Sequence, residues 1–318
     1  SYHVTMDRWL PASPSDVLTI YIPQDKTGST SVRRTLKAQA GAGGYCVIDL
    51  HDSGGRSCSG SAVLVNGGHL GTCEDVEKQS VGHCQYFTTV REPIARLLSE
   101  FSYFCLKCSE RKFCVAPLAR SRSAPTCPNV TFTQWAAAYA NQYTRQFSRD
   151  WRRQNRSTYG YYGSYLHGFR DLPPLTAEDV QRAFITLTSP YLLVLEAEEL
   201  SATGWDRLDG FLRGPRNRSL KVAAVVANVN HDPSHLAPSA PQLAHATVSN
   251  AFDVQLYELL WSRLHPGASK PRPAYQSHRT SPCTGASCRV NKTVAQDEVE
   301  DRRPHVTASA TTVPYRAV

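Results

Sequence analysis

A loop of hydroxyl residues around a glycine lies near the start of the chain and has the composition of an anion site. Residues 23–31 read Pro-Gln-Asp-Lys-Thr-Gly-Ser-Thr-Ser. A glycine lets backbone approach a ligand closely, and a helix start presents unpaired N–H groups at the positive end of its dipole. With Lys26 as a mobile charge, the loop predicts a cradle for a phosphate or another tetrahedral oxyanion. It is not a Walker A loop, because Lys26 precedes Gly28. The alternative is an ordinary capped helix start.

A second candidate anion site follows the predicted strand at residues 85–90. Arg91 comes directly after them, and Pro93 opens a helix at a position where its missing N–H costs nothing. An arginine at a strand end offers a planar fork of donors that suits phosphate. Ser99 lies about two helical turns further on and can supply a hydroxyl to the same anion. The alternatives are a surface salt bridge for Arg91 and a solvated helix position for Ser99.

The elements that must position these loops are predicted from hydrophobic patterning. Strands are predicted at residues 16–22, 61–65, 85–90 and 191–195. Helices are predicted at residues 32–39, 94–101, 132–147, 176–184, 205–212 and 250–264. Apolar strands that alternate with helices indicate an α/β fold with a mostly parallel sheet covered on both faces. Ligands bind such sheets at the carboxyl ends of the strands, which is where both loops begin.

The composition narrows the class of protein. The 318 residues, 41% of them hydrophobic and 19% charged, fit an ordered globular protein of one large or two small domains. No run of about 18 apolar residues occurs, so these residues contain no transmembrane helix. The 35 Lys and Arg against 27 Asp and Glu give a net charge of +8. That excess favours an anionic cofactor or polymer over nucleic acid, although an ordinary solvated basic surface is the alternative.

Cysteines and glycosylation sequons together indicate an oxidising compartment. The chain has 10 cysteines and Asn-x-Ser/Thr sequons at Asn129, Asn155, Asn217 and Asn291. Disulfides are therefore predicted, with a connectivity that sequence does not give. The competing hypothesis is a structural zinc site at Cys105, Cys108, Cys114 and Cys127, whose first spacing suits zinc. A second Cys-x-x-Cys pair is absent, which favours disulfides.

Taken together, the two loops resemble the cofactor signature of sulfotransferases that use 3′-phosphoadenosine 5′-phosphosulfate (PAPS). In that family, Lys-Thr-Gly-Ser/Thr-Thr-Ser after a strand holds the 5′-phosphosulfate. Arg-Asp/Glu-Pro-x-x-Arg-x-x-Ser after a later strand holds the 3′-phosphate. Residues 26–31 match the first motif, and Arg91, Pro93, Arg96 and Ser99 match the second. The resemblance implies that the cofactor is bound by Lys26, Thr27, Gly28, Ser29, Thr30, Ser31, Arg91 and Ser99.

The resemblance also implies an architecture and an acceptor class. It implies a P-loop-like parallel sheet flanked by helices, in a single catalytic domain over residues 1–265 with a Cys-rich insertion at about 105–130. Residues 266–318 are predicted to form a low-complexity, disordered tail. The chain resembles the Golgi carbohydrate branch, including heparan sulfate 2-O- and 6-O-sulfotransferases. A carbohydrate acceptor is therefore implied, in the Golgi lumen or after secretion, with any membrane attachment through an anchor outside these residues.

Sulfuryl transfer to a hydroxyl needs a base, and the resemblance points to His69. This histidine follows the predicted strand 61–65 in a turn of small residues, as the catalytic base does in the glycosaminoglycan enzymes. Histidine suits proton transfer near neutral pH. His51 and His83 are weaker candidates, and the alternative for His69 is a turn residue without a role. Lys26 would stabilise charge on the bridging oxygen of the departing nucleotide, and no metal is required.

The acceptor and the activity itself have alternatives. Three arginines of a basic run, Arg145, Arg149 and Arg152, are candidate contacts for an anionic glycan, although a solvated basic loop is equally compatible. A non-catalytic glycan-binding protein on a degenerate sulfotransferase fold is the first alternative function. A nucleotide kinase with an unusual phosphate loop is the second, and the missing Walker A pattern counts against it.

Overall fold

Seven strands and eight α-helices are present in the part of the chain that the computed structural model describes. That part comprises residues 9–10, 13, 15–24, 27–40, 44–49, 58–66, 70, 73, 83–102, 130–148, 174–201, 204–213 and 238–270. The strands are β1 (Trp9–Leu10), β2 (Val17–Ile22), β3 (Cys46–Asp49), β4 (Cys58–Ser59), β5 (Ala62–Asn66), β6 (His83–Val90) and β7 (Leu192–Glu196). The helices are α1 (Ser29–Gln39), α2 (Pro93–Phe101), α3 (Phe132–Ala138), α4 (Gln142–Phe147), α5 (Ala177–Leu187), α6 (Gly204–Arg213), α7 (Ala240–Ser249) and α8 (Ala251–Leu264).

The central sheet is all parallel, with the strand order β3-β5-β2-β6-β7. Strand β2 lies in the middle and is apolar on both faces. Its Ile20 packs with residues of α5 and α8 on one face, and its Tyr21 packs with residues of α1 and α6 on the other. A strand buried on both faces reads as a continuous apolar run, which is why patterning identified it. The predicted α/β class with a helix-flanked parallel sheet is confirmed.

One predicted helix differs from the structure, and several short elements were not predicted. The single helix predicted at residues 132–147 is two helices, α3 and α4, because Asn141 has a left-handed backbone with φ 57°. Its side-chain oxygen accepts hydrogen bonds from the N–H groups of Phe252 and Asp253, and its own N–H donates to Asn250 Oδ1. These bonds, which come from the start of α8, stabilise the break. Strands β1, β3 and β4 and helix α7 were not predicted.

Disulfides join two pairs of cysteines. Cys46 of β3 is bonded to Cys58 of β4, and Cys73 is bonded to Cys84 of β6. The N–H of Cys73 also donates to the hydroxyl of Tyr86 at 2.7 Å. Disulfide formation is therefore confirmed for these four cysteines. The remaining six, including the candidate zinc ligands, lie outside the described residues: Cys105, Cys108, Cys114, Cys127, Cys283 and Cys288.

The described residues all belong to one compact unit, Ser1–Tyr275. None of the described helices combines the length and apolar character needed to span a membrane. Most of the predicted tail, residues 271–318, lies outside the described residues. The domain boundary at residue 265 stays a prediction.

Candidate functional site

The first loop ends in a helix start that is open to an anion. Gly28 precedes α1 with a left-handed backbone, φ 86°, and its carbonyl accepts the N–H of Val32 at 3.0 Å. No side chain caps this end of α1, and no acidic residue lies in its first turn. A helix start of this kind, with its N–H groups and the positive end of its dipole, is suited to bind an anion. Ser29, Thr30 and Ser31 form that first turn.

Thr27 is turned into the protein rather than toward the loop surface. Its side chain is fully buried, and its hydroxyl donates to the carbonyl oxygen of Gln24 at 2.9 Å. Thr89 of β6 lies 2.8 Å from the same hydroxyl, and Tyr21 of β2 lies 2.9 Å from Thr89. Because the one proton of Thr27 goes to Gln24, Thr89 must donate to Thr27 and Tyr21 to Thr89. This chain of hydroxyls fixes the loop to two strands, so Thr27 can serve a ligand only through its backbone.

Replacing Gly28 with alanine is expected to lower the free energy of unfolding by about 1–3 kcal/mol. The left-handed backbone disfavours a side chain, and a Cβ there would lie 2.7 Å from Cδ1 of Leu200. Gly210 in α6 is the matched control, because a Cβ at that position meets nothing within 4 Å. Gly210→Ala is expected to gain about 0.5–1 kcal/mol. Urea unfolding of both variants tests the turn, and an equal gain from both would contradict its geometry.

Arg91 lies at the same sheet edge as the first loop. Strands β2 and β6 are neighbours, and the Thr88 hydroxyl donates to the carbonyl of Ile22 at 2.8 Å, so both chains leave the sheet side by side. The Arg91 side chain is 34% exposed, and its Nε lies 3.2 Å from Oε1 of Glu198. Arg91 makes two further bonds through its backbone, to the hydroxyl of Tyr143. Ser99 is half-buried on α2, the helix that begins two residues after Arg91.

Arg96 matches the family motif but has a structural environment. Its side chain is fully buried, and Nη1 donates to Oε1 of Glu100 at 2.6 Å and also to the side chain of Gln142. Nη2 lies 4.0 Å from the carboxylate of Asp253 on α8. The guanidinium also lies over the ring of Tyr143, 5.1 Å from its centroid. Arg96 therefore joins α2 to α4 and α8, and its guanidinium is inside the protein rather than at the loop surface.

Asp253 holds the start of α4. Its two carboxylate oxygens accept the N–H groups of Tyr143 at 3.0 Å and Thr144 at 2.8 Å, which are unpaired donors of a helix start. Burial raises the pKa of Asp253, and the Arg96 guanidinium and these N–H donors oppose the rise. Burial likewise raises the pKa of Tyr143, so its hydroxyl stays protonated.

A second polar cluster at the carboxyl end of β7 was missed by sequence reasoning. Glu196 is buried, and its two oxygens lie 2.8 Å from the hydroxyl of Tyr257 and 2.7 Å from Nε2 of His265. Burial, followed by the charge of Glu196, raises the pKa of Tyr257. The imidazole of His265 packs against Trp261 in a tilted arrangement, with ring centroids 4.0 Å apart. No local sequence signal indicates this cluster, because Glu196 and His265 are 69 residues apart.

The same cluster has the spacing of a cation site. Ligand atoms of Glu196, Glu199 and His265 lie within 4.8 Å of one another. The Glu199 carboxylate already accepts two hydrogen bonds from Arg207, at 2.7 and 2.9 Å. Glu196 is bonded through both of its oxygens, and a guanidinium beside the site repels a cation. The contacts therefore fit a hydrogen-bonded network better than a metal centre, and a metal-free reaction stays a prediction.

The structure separates the candidate bases. His83 is exposed at the start of β6, where it pairs with Val17. It therefore lies at the amino-terminal end of β6, about 23 Å along the strand from the two loops, and is too far from them to act as the base. His69 and His51 lie outside the described residues, as does Lys26.

Of the three candidate contacts for the acceptor glycan, the structure describes one. Arg145 is half-buried on α4, close in sequence to the Tyr143 that contacts Arg91. Arg149 and Arg152 lie outside the described residues. The acceptor surface therefore stays a prediction at all three positions.

Comparison with known families gives one match. Residues 13–163 match a model described as the sulfotransferase family. This segment includes β2, both loops and Arg91, which meet at one edge of the sheet. Comparison with curated proteins finds no match. The match, the parallel sheet and the two adjoining loops together identify residues 13–163 as part of a sulfotransferase-family domain.

Proposed function

We propose that this protein transfers a sulfuryl group from PAPS to a hydroxyl of a carbohydrate. The observation that carries the proposal is that two candidate anion sites lie side by side at the carboxyl ends of neighbouring strands. The uncapped start of α1 adjoins the strand end that carries Arg91. PAPS has two anionic groups, a 5′-phosphosulfate and a 3′-phosphate, and a pair of adjacent sites suits such a molecule.

Each group of the nucleotide has a proposed partner. The 5′-phosphosulfate lies against the backbone N–H groups of residues 27–31, with Lys26 beside it. The 3′-phosphate is bound by the guanidinium of Arg91 and the hydroxyl of Ser99. In support, the Arg91 side chain is part-exposed at the strand end, and Glu198 is the anion that it contacts among the described residues. The donor set consists of neutral N–H groups, hydroxyls and cations, which is the chemistry that a polyanion requires.

The reaction is an in-line displacement at sulfur. The acceptor oxygen forms a bond to sulfur as the bond from sulfur to the phosphate oxygen breaks. The proton of the acceptor hydroxyl passes to His69, and the negative charge left on the phosphate oxygen is stabilised by Lys26. The products are the sulfated sugar and 3′-phosphoadenosine 5′-phosphate (PAP). No redox step occurs, and this displacement needs no metal.

The carbohydrate acceptor and the compartment belong to the same proposal. Arg145, Arg149 and Arg152 are proposed to contact an anionic polysaccharide or a glycoprotein glycan. The two disulfides and the four sequons support a lumenal or extracellular location, in the Golgi or after secretion. The competing function, a glycan-binding protein without activity, differs in that it would release no PAP.

PAP is expected to stabilise the fold, because it occupies both anion sites. At about 100 times its dissociation constant the gain is about 2.7 kcal/mol. Arg91→Ala is expected to weaken PAP binding, because the 3′-phosphate loses a charge-assisted fork. Thermal unfolding of the oxidised protein with PAP, and with ATP as the competitor, measures both effects. The absence of a shift at millimolar PAP would contradict the assignment, and stabilisation by ATP alone would favour a kinase.

A further inference from the structure

A single buried hydroxyl hydrogen-bonds to both backbone polar groups of Arg91. The Tyr143 hydroxyl accepts the backbone N–H of Arg91 at 3.1 Å and donates to the carbonyl oxygen of the same residue at 3.2 Å. The Tyr143 side chain is only 1% exposed. Both hydrogen-bonding functions of this phenol are therefore used on one residue, and that residue carries the candidate phosphate fork.

Arg91 needs such an anchor because the sheet ladder ends beside it. The last bond of the ladder at this point joins the N–H of Ala197 to the carbonyl of Val90 at 2.8 Å. Beyond it, the Tyr143 hydroxyl bonds both backbone polar groups of Arg91. The side chain of Arg91 is held differently, by Glu198, which is 60% exposed. Ion pairs between exposed groups are weak and are screened by salt, so the backbone anchor is the firmer constraint on Arg91.

Tyr143 is itself held by two buried neighbours, Asp253 and Arg96. Its N–H donates to the carboxylate of Asp253 at 3.0 Å, and its ring lies under the guanidinium of Arg96. Arg96 is in turn bonded to Glu100 at 2.6 Å. A rigid buried support therefore runs from α8 and α2, through Tyr143, to the strand end. Sites of this kind bind selectively when the supporting groups hold the contact residue in place.

We infer that Tyr143 is a positioning residue, which makes the Arg91 site selective for nucleotides that carry a 3′-phosphate. The inference rests on the proposed function, because it assumes that Arg91 meets the 3′-phosphate. Tyr143 touches no part of the nucleotide. Its effect is to fix the origin of the Arg91 side chain, so that the guanidinium reaches the phosphate without first being ordered.

The test uses titration calorimetry to compare PAP with adenosine 5′-phosphate, which differs from PAP only in lacking the 3′-phosphate. Tyr143→Phe removes the hydroxyl and keeps the ring. We expect the affinity for PAP to fall about tenfold, the scale of a lost orienting hydrogen bond, and the affinity for adenosine 5′-phosphate to stay within about twofold. In an Arg91→Ala background, Tyr143→Phe is expected to cause no further loss.

Tyr257→Phe is the matched control. It also removes one buried tyrosine hydroxyl, but that hydroxyl is bonded to Glu196 rather than to Arg91. The ratio of the two affinities is expected to stay at its wild-type value in this variant. An equal fall for both nucleotides in Tyr143→Phe, or an equal change of the ratio in Tyr257→Phe, would reduce Tyr143 to a general structural role and overturn the inference.

A measurement on the wild-type protein covers the case of a Tyr143 variant that does not fold. The Arg91 amide is expected to be protected from hydrogen exchange in the nucleotide-free protein, and exchange at the rate of an unfolded chain would overturn the inference. Failure of the proposed function can be distinguished from failure of the inference on Tyr143. If wild-type protein does not bind PAP, the proposed function and this inference both fall. If Arg91→Ala abolishes PAP binding while Tyr143→Phe retains it in full, only the inference falls.

Discussion

Replacing His69 with alanine is expected to lower turnover about 10²–10⁴-fold, the usual contribution of a general base. The affinity for PAP is expected to stay unchanged, because His69 is not among the proposed contacts of either phosphate. The expectation draws support from the sheet order, in which β5 adjoins β2. The chain that leaves β5 at Asn66 therefore starts at the same edge as the anion loop. Steady-state sulfation rates and PAP titration of the variant give the two quantities.

Three further variants make the assignment of the base specific. Lys26→Ala is expected to lower both turnover and cofactor affinity, because its charge acts on the bound nucleotide and on the transition state. His83→Ala is the control, since this histidine lies at the opposite edge of the sheet, and normal turnover is expected. His265 is the histidine that the structure describes at the carboxyl edge, oriented by Glu196. Near-normal turnover in His69→Ala with its loss in His265→Ala would transfer the role to His265.

The second large effect is on stability. Arg96→Met is expected to lower the free energy of unfolding by about 3–5 kcal/mol. Methionine keeps most of the volume, but the carboxylate of Glu100, only 1% exposed, would remain buried without the cation at 2.6 Å. Chemical unfolding monitored by tryptophan fluorescence measures the loss.

Arg182 on α5 provides the matched control. It also pairs with carboxylates on its own helix, Glu178 at 2.6 Å and Asp179 at 2.8 Å, but its side chain is 48% exposed. Solvent screens such pairs, so Arg182→Met is expected to change stability little. A loss from Arg96→Met no greater than that from Arg182→Met would show that burial of the ion pair has been misjudged.

Local patterning was enough to predict the sheet but not every element of the fold. Strand β2 is a nearly continuous apolar run and was found because a doubly buried strand has no polar face, and β6 was found from its aromatic and β-branched residues. The break between α3 and α4 was not predicted, because Asn141 is compatible with a helix until α8 supplies bonds to its side chain. Strand β3 is only four residues long, too short to show a period.

The site shows the same division between local and distant determinants. The two anion loops were predicted because each consists of neighbouring residues with a recognisable chemistry. The contact from Tyr143 to Arg91 joins residues 52 positions apart, and a single sequence holds no sign of it. Arg96 illustrates the converse. It belongs to a motif of neighbouring residues, but the motif does not show that the fold buries its side chain completely.

The proposed function, PAPS-dependent sulfation of a carbohydrate, is tested most directly by measuring transfer of a labelled sulfuryl group. The oxidised protein is incubated with sulfur-labelled PAPS and a panel of polysaccharides, with Arg91→Ala as the reference. We expect label to enter at least one polysaccharide and PAP to be released in equal amount. In Arg91→Ala, incorporation of label and release of PAP are both expected to be slower. Binding of a polysaccharide without transfer of label or release of PAP would contradict the proposed function and identify a glycan-binding protein instead.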